Sequence, residues 1–168
     1  MTLFCTAATA YAQKQSFDVV SFVIPKGWEQ QQGEAGVQLS VSDKKTGAYA
    51  VAVITKATSS SAAASDNFNT DWTRLVKSTV QVNQNPSMLA PQQDNGWDIL
   101  SGSANYSDGT TKGVATLMTA TGGGQMVSVV LITNTQQYQN ELLALINSLE
   151  LTKVAQNETS VTTRSPQS

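Results

Sequence analysis

The chain has 168 residues, the size of one globular domain, and 40% of them are hydrophobic, which is enough to form a core. Only 13% are charged, about half of the ~25% usual for a soluble domain, whereas Ser, Thr, Asn and Gln together supply 64 residues. The net charge of −2 excludes the basic surface that nucleic-acid binding needs. The absence of His and the single Cys exclude His-dependent triads, His metal sites and multi-Cys zinc clusters.

The N-terminus has the character of an export signal. Residues 3–12 form an apolar run of mostly small residues that ends in Ala10 and Ala12, the small residues that signal peptidase recognises. Residues 1–12 are therefore predicted to be a signal peptide cleaved before Gln13, although the run is short and no Lys or Arg precedes it, which indicates a truncated signal. The alternative is a frayed, mildly apolar tail. No later run approaches the ~20 apolar residues of a membrane span, so the protein is predicted to be periplasmic or secreted.

Alternating apolar residues predict β-strands in the first third of the chain. Residues 17–24 are typical of one strand that Pro and Gly stop, and residues 30–34 of a polar loop. Residues 37–41 predict a strand with one buried face. Its partner, residues 48–55, carries alanines on one face and larger residues on the other, which predicts a central strand covered on both sides and closely approached by a helix.

The rest of the chain predicts two helices around a set of strands. Apolar spacing of 3.6 residues predicts a helix from Asp66 that buries Phe68, Trp72 and Val76. Turns containing Gly then separate three predicted strands: 97–106, 112–121 and 125–133. A second helix is predicted from the apolar residues that share one helical face: Tyr138, Leu142, Leu145, Ile146 and Leu149.

Together these elements predict a single α+β domain over residues 13–151. Its mostly antiparallel sheet is expected to have about six to seven strands, with two main helices packed on it. Residues 152–168 are polar and are predicted to be a disordered tail or linker.

The order of elements resembles the PsbP-like fold. The resemblance is carried by the opening strand that runs into Pro25-Lys26-Gly27-Trp28, by the helix segment 68–72, and by the closing strand and helix, residues 127–149. The chain looks like an exported, Bacteroidota-type bacterial branch of that group, and the match covers about residues 17–151. The resemblance implies binding of partners rather than catalysis, and it supplies no catalytic, cofactor-binding or metal-binding residue.

The tryptophans are the candidate binding residues, because aromatic rings offer flat apolar faces to a partner. Trp72 lies on the buried stripe of the first helix and is predicted to be packing. Trp28 and Trp97 each follow a turn glycine at the edge of an element, so they are the candidate partner contacts. A core residue that seals the edge of an element is the favoured interpretation for both, and contact with a partner is the alternative.

The leading functional prediction is an exported, non-enzymatic binding or accessory module of the bacterial cell envelope. Its partner would be an unknown protein or envelope component, and no cofactor, metal or catalytic residue is predicted. One alternative is a His-independent carboxylate hydrolase, which needs a cleft with an acid of raised pKa. Another is a small-ligand carrier, which needs an apolar pocket between sheet and helix, a space that Trp72, Leu145 and Leu149 are expected to fill.

Overall fold

The computed structural model describes residues 14–154. The predicted signal peptide, its cleavage site and residues 155–168 of the predicted tail lie outside the described residues and stay predictions. The described elements, in chain order, are β1 (Lys14–Phe17), β2 (Val20–Val23), β3 (Glu29–Gln32), β4 (Gly36–Asp43), β5 (Ala48–Thr55), β6 (Thr58–Ser59), α1 (Ala64–Asp71) continued by a π-helical segment (Trp72–Lys77), β7 (Ser87–Met88), β8 (Gln92–Asp94), β9 (Trp97–Asp108), β10 (Thr111–Gly122), β11 (Gln125–Thr133), α2 (Gln139–Ser148) and β12 (Glu150–Leu151).

A large antiparallel sheet organises the molecule. Its strands follow the order β3-β4-β5-β11-β10-β9-β7, with β6 added to β11 and β8 added to β9. The predicted central strand, residues 48–55, is β5, and it pairs with β4 on one side and β11 on the other. The α+β class with a mostly antiparallel sheet and two helices is therefore confirmed.

The number of strands was predicted wrongly, since the large sheet has nine rather than six to seven. Four of the nine, β3, β6, β7 and β8, are only two to four residues long and fully exposed. Such segments have no buried face, so the alternation of apolar and polar residues that marks a strand is absent from them. The polar loop predicted at residues 30–34 largely coincides with β3 and its following turn.

A second, three-stranded sheet has the order β1-β2-β12. The single strand predicted over residues 17–24 is a hairpin instead, because Asp18 adopts a positive φ of 51° and turns the chain between β1 and β2. The chain's last described strand, β12, pairs with β2 through Ser21 and Glu150. This small sheet brings the two ends of the described chain together.

The two helices lie on opposite faces of the large sheet. α2 packs on the alanine face of β5, where Ala50, Ala52 and Leu145 are fully buried in one core cluster. The helical face predicted for α2 is confirmed by the burial of Tyr138 and Leu142 in the same cluster. No helix within residues 14–154 is long and apolar enough to cross a membrane.

α1 and the π-helical segment that continues it pack on the other face, where they bury Phe68, Trp72 and Val76 as predicted. The helix begins at Ala64, two residues before the predicted start. The approach of α1 to the sheet is close at Gly102 of β9, where an added Cβ would lie 2.9 Å from Cζ of Phe68. The absence of a side chain at Gly102 therefore allows α1 to pack this closely against the sheet.

The packed structure continues past β12. The backbone N–H of Thr152 donates to the carbonyl of Val19 at 2.9 Å, and that of Val154 donates to the carbonyl of Asn95, also at 2.9 Å. Residues 152–154, which belong to the predicted tail, thus bind both sheets.

Candidate functional site

A cleft of about 400 Å³ opens between α2, the small sheet and strands β8 to β11 of the large sheet. We call it the α2 cleft. Its floor consists of apolar side chains from β9, β10 and β11: Ile99, Met118, Ala120, Val127 and Val129. Its walls come from α2 with the turn after it and from the small sheet: Ile146, Leu149, Val20 and Leu151.

The rim of the α2 cleft is polar. Gln92, Gln93 and Asp94 of β8 form one side of it, and Asn147 of α2 lies on another. All four side chains are exposed. Among the residues that line the cleft, Asp94 is the single charged side chain, so the site is an apolar trough edged by amides and one carboxylate.

A tight hairpin turn fixes this geometry. Asn95 and Gly96 join β8 to β9, and both have positive φ values, 51° and 85°, the conformation that Asn-Gly adopts in two-residue hairpins. The Asn95 side chain then donates to the carbonyl of Leu151 at 2.9 Å. The turn thus ties the rim residue Asp94 to the wall residue Leu151.

The two tryptophans that are candidate partner contacts are both buried. Trp28 is 8% exposed and Trp97 is 2% exposed, and both belong to the core cluster beneath α2. The indole N–H of Trp97 is also engaged, because it donates to the carbonyl of Thr152 at 2.8 Å. Trp28 precedes β3 and Trp97 begins β9, strands separated by four others, or roughly 24 Å at the usual ~4.8 Å spacing. The structure therefore gives these rings no shared, exposed surface.

The expectation that bulky side chains fill the space under the second helix is only partly right. Leu145 is fully buried there. Trp72, however, packs with α1 on the opposite face of the sheet, and Leu149 lines the wall of the α2 cleft rather than filling it. Sequence reasoning missed the cleft because Met118 and Ile146 follow the same periodic patterns as core residues.

Asp71 is the buried acid of the described residues, with 2% exposure. Its carboxylate accepts a hydrogen bond from Ser128 Oγ at 2.6 Å and one from Arg74 Nε at 3.0 Å. Ser128 in turn bonds to Thr119. These bonds compensate the buried charge of Asp71 and join α1 to the sheet, so Asp71 has a structural role. Residues 14–154 contain no group of three or more His, Cys, Asp or Glu that could hold a metal ion.

A second concavity, of about 540 Å³, lies at the end of the sheet near the loop between β11 and α2. It is lined mainly by amide and hydroxyl side chains, with Lys112 on β10. Several of its polar groups hold the local backbone. The Asn134 side chain accepts from the backbone N–H of Tyr49 at 2.8 Å and donates to the carbonyl of Gly47 at 2.9 Å. These bonds give the lining a structural role, so the α2 cleft is the better candidate site.

Comparison with known proteins adds a likeness in fold. No family model and no curated protein matches the chain. Among solved structures, the chain is similar to an uncharacterised protein from Bacteroides thetaiotaomicron VPI-5482, solved at 1.50 Å, with a TM-score of 0.54 and 17% sequence identity. The match covers 84% of this chain and 49% of that protein, so this chain spans about half of its length.

Proposed function

We propose that the chain is a non-enzymatic binding or accessory module of the bacterial cell envelope and that the α2 cleft is its binding site. The observation that carries the proposal is the lining of the cleft, in which nine apolar side chains lie beneath a rim of amides and one carboxylate. Small-molecule sites are typically clefts of ~300–1,000 Å³ with mostly apolar walls and a few polar groups. The α2 cleft has this form at the small end of the range.

The absence of catalysis in this proposal is supported by the chemistry of the lining. Asp94 is its only titratable side chain, whereas acid–base work on a substrate by carboxylates uses two acids in defined positions. Asp71, the buried acid on the other face of the sheet, has both carboxylate oxygens engaged by Arg74 and Ser128. These arrangements favour binding over hydrolysis.

Export and membership of the PsbP-like group belong to the same proposal. The small-residue run at positions 3–12 supports export to the periplasm or the exterior. The order of strands and helices, with one helix on each face of an antiparallel sheet, supports a PsbP-like fold. The likeness in fold to a Bacteroides protein shows that this architecture occurs in a bacterium.

A small-ligand carrier is the specific form of binding that the cleft favours. The α2 helix, the small sheet and β8 bound the cleft on three sides, which leaves room for a compact molecule rather than for a helix of another protein. Its volume of about 400 Å³ equals roughly 13 water molecules at ~30 Å³ each. Clefts of ~300–1,000 Å³ hold drug-sized ligands, so a compact molecule of roughly 10 to 17 non-hydrogen atoms fits this small member of the class.

The proposal is tested by titrating the protein with N-phenylnaphthylamine, a neutral apolar dye whose fluorescence rises when it leaves water. We expect saturable binding at one site. Met118→Asp places a charge on the floor of the α2 cleft and should weaken dye binding at least tenfold, because a buried, unpaired carboxylate opposes an apolar ligand. Ile146→Asn on the wall should weaken it in the same direction.

Two matched controls lie outside the cleft on the same elements. Val114 of β10 is 40% exposed and Leu143 of α2 is 49% exposed, and neither lines the α2 cleft. Val114→Asp and Leu143→Asn should therefore leave dye binding unchanged. Thermal melting of all four variants checks that they fold. Dye binding that is absent, or that survives both cleft variants in folded protein, would show that the α2 cleft is not the binding site.

A further inference from the structure

We infer that the α2 cleft takes a small amphiphile whose polar end is uncharged or cationic and that it discriminates against anionic amphiphiles such as fatty acids. This inference rests on the proposed function and adds the chemical class of the ligand. Its basis is the distribution of charge around a trough that is otherwise apolar.

The apolar part of the ligand is defined by the floor and walls. Ala120, Val127 and Val129 are at least nine-tenths buried along the floor, and the half-buried Met118 and Ile146 flank them. No hydrogen-bonding side chain lies among these five residues. An alkyl chain that packs against these residues removes its own apolar surface and theirs from water. This burial is favourable by ~0.8 kcal/mol per buried methylene.

The polar end of the ligand is defined by the rim. Gln92 and Asn147 offer amides that both donate and accept hydrogen bonds, and Asp94 offers a carboxylate. No Lys or Arg lines the α2 cleft, so an anionic head group would meet a negative charge with no cation to pair with. An alcohol or amide head group can bond to the amides, and an ammonium group can also pair with Asp94.

The two carboxylates of the β8–β9 hairpin differ in their engagement. Asp98 accepts a hydrogen bond from Gln93 Nε2 at 2.8 Å and does not line the cleft. Asp94 lines the cleft, and its carboxylate accepts no hydrogen bond from another side chain or backbone group in residues 14–154. Asp94 is therefore the acid available to a ligand, and Asp98 is its natural control.

The test uses three ligands with the same eight-carbon chain and different head groups: octylamine, octanol and octanoate. Each displaces N-phenylnaphthylamine from the full chain near neutral pH and low salt. We expect octylamine to bind up to about fivefold more tightly than octanol, the scale of an exposed ion pair, and octanoate to bind at least about fivefold more weakly than octanol. Salt should narrow both differences.

The matched variants locate the effect. Asp94→Asn should equalise octylamine and octanol and should strengthen octanoate, whereas Asp98→Asn should keep the wild-type order. Octanoate binding as tightly as octylamine, or an unchanged order in Asp94→Asn, would overturn the inference while dye binding in the α2 cleft still supports the proposed function. Failure of the dye itself to bind would overturn both.

Discussion

Tyr106 shows how strongly burial acts on a single residue of this fold. The side chain is 3% exposed on β9, and its hydroxyl is hydrogen-bonded to that of Tyr49 on β5. Burial, followed by the hydrogen bond with Tyr49, raises the pKa of Tyr106 well above its usual value. The ionised form is therefore disfavoured in the folded protein.

This shift predicts a loss of stability at alkaline pH. Above the usual tyrosine pKa of ~10, the unfolded chain releases a proton that folded Tyr106 retains, so the free energy of unfolding falls as pH rises. Below that pH both states are protonated and the effect vanishes. Tyr106→Phe should cost about 1 kcal/mol near neutral pH through the lost hydrogen bond and should flatten the alkaline decline.

Urea unfolding between about pH 7 and pH 11 measures this effect. The comparison at neutral pH serves as the internal control, because it isolates the hydrogen bond from the ionisation. An alkaline decline of equal slope in wild type and Tyr106→Phe would contradict the assignment of the effect to Tyr106.

The tryptophans illustrate what a residue's neighbours in sequence can and cannot reveal. A position after a turn glycine places Trp28 and Trp97 at the start of an element, which the structure bears out, since they lie next to β3 and at the head of β9. The direction of each ring is set by contacts with distant residues, such as the carbonyl of Thr152 for Trp97. That information is not local, so the sequence favours a core position for both rings but does not identify the residues that they contact.

At the scale of elements, the contact of α1 with the sheet depends on Gly102. An added Cβ would lie 2.6 Å from Met88 Sδ and 2.9 Å from Phe68 Cζ. Met88 is 47% exposed and can move aside, but Phe68 is 2% exposed and cannot. Gly102→Ala should therefore lower the free energy of unfolding by about 1–3 kcal/mol through overpacking.

Gly33→Ala is the matched control for this substitution. Nothing lies within 4 Å of a Cβ added at Gly33, and its φ is not in the left-handed region, so Ala should be neutral or stabilise by up to ~1 kcal/mol. Denaturant midpoints of the two variants measure the difference. Equal stability of Gly102→Ala and wild type would show that α1 does not constrain this position.

Elements with a buried face were predictable and those without one were not. β5 and α2 each bury an apolar face, so periodicity predicted them. β3 consists of Glu and Gln in a fully exposed strand, and β12 has two residues whose pairing depends on β2. The α2 cleft escaped prediction for a related reason, because its lining residues have the same sequence pattern as residues of a filled core.

At the scale of the whole molecule, residues 152–154 connect the two sheets. Thr152 bonds to Val19 beside the small sheet and accepts from Trp97 of the large one, and Val154 bonds to Asn95 and packs on Gly96. A chain that ends at residue 151 should lose about 2–3 kcal/mol relative to one that ends at 154, at about 1 kcal/mol per hydrogen bond.

Stop codons after residues 151, 154 and 168 provide the comparison. The chains ending at 154 and 168 should have similar unfolding midpoints, and the chain ending at 151 should unfold earlier and expose Trp97 to water, with red-shifted fluorescence. A chain ending at 151 that is as stable as the longer two would show that residues 152–154 are dispensable.

The pairing of the chain's first and last described strands has a consequence for the timing of folding. Lys14 of β1 forms an ion pair with Glu150, 136 residues later, and synthesis at ~5–20 residues per second separates their appearance by roughly 7–27 s. The large sheet has all of its strands once β11 is made, whereas β2 must wait for β12. The wall that Val20 and Leu151 give to the α2 cleft is thus completed last, so the large sheet has all of its strands before the cleft is enclosed.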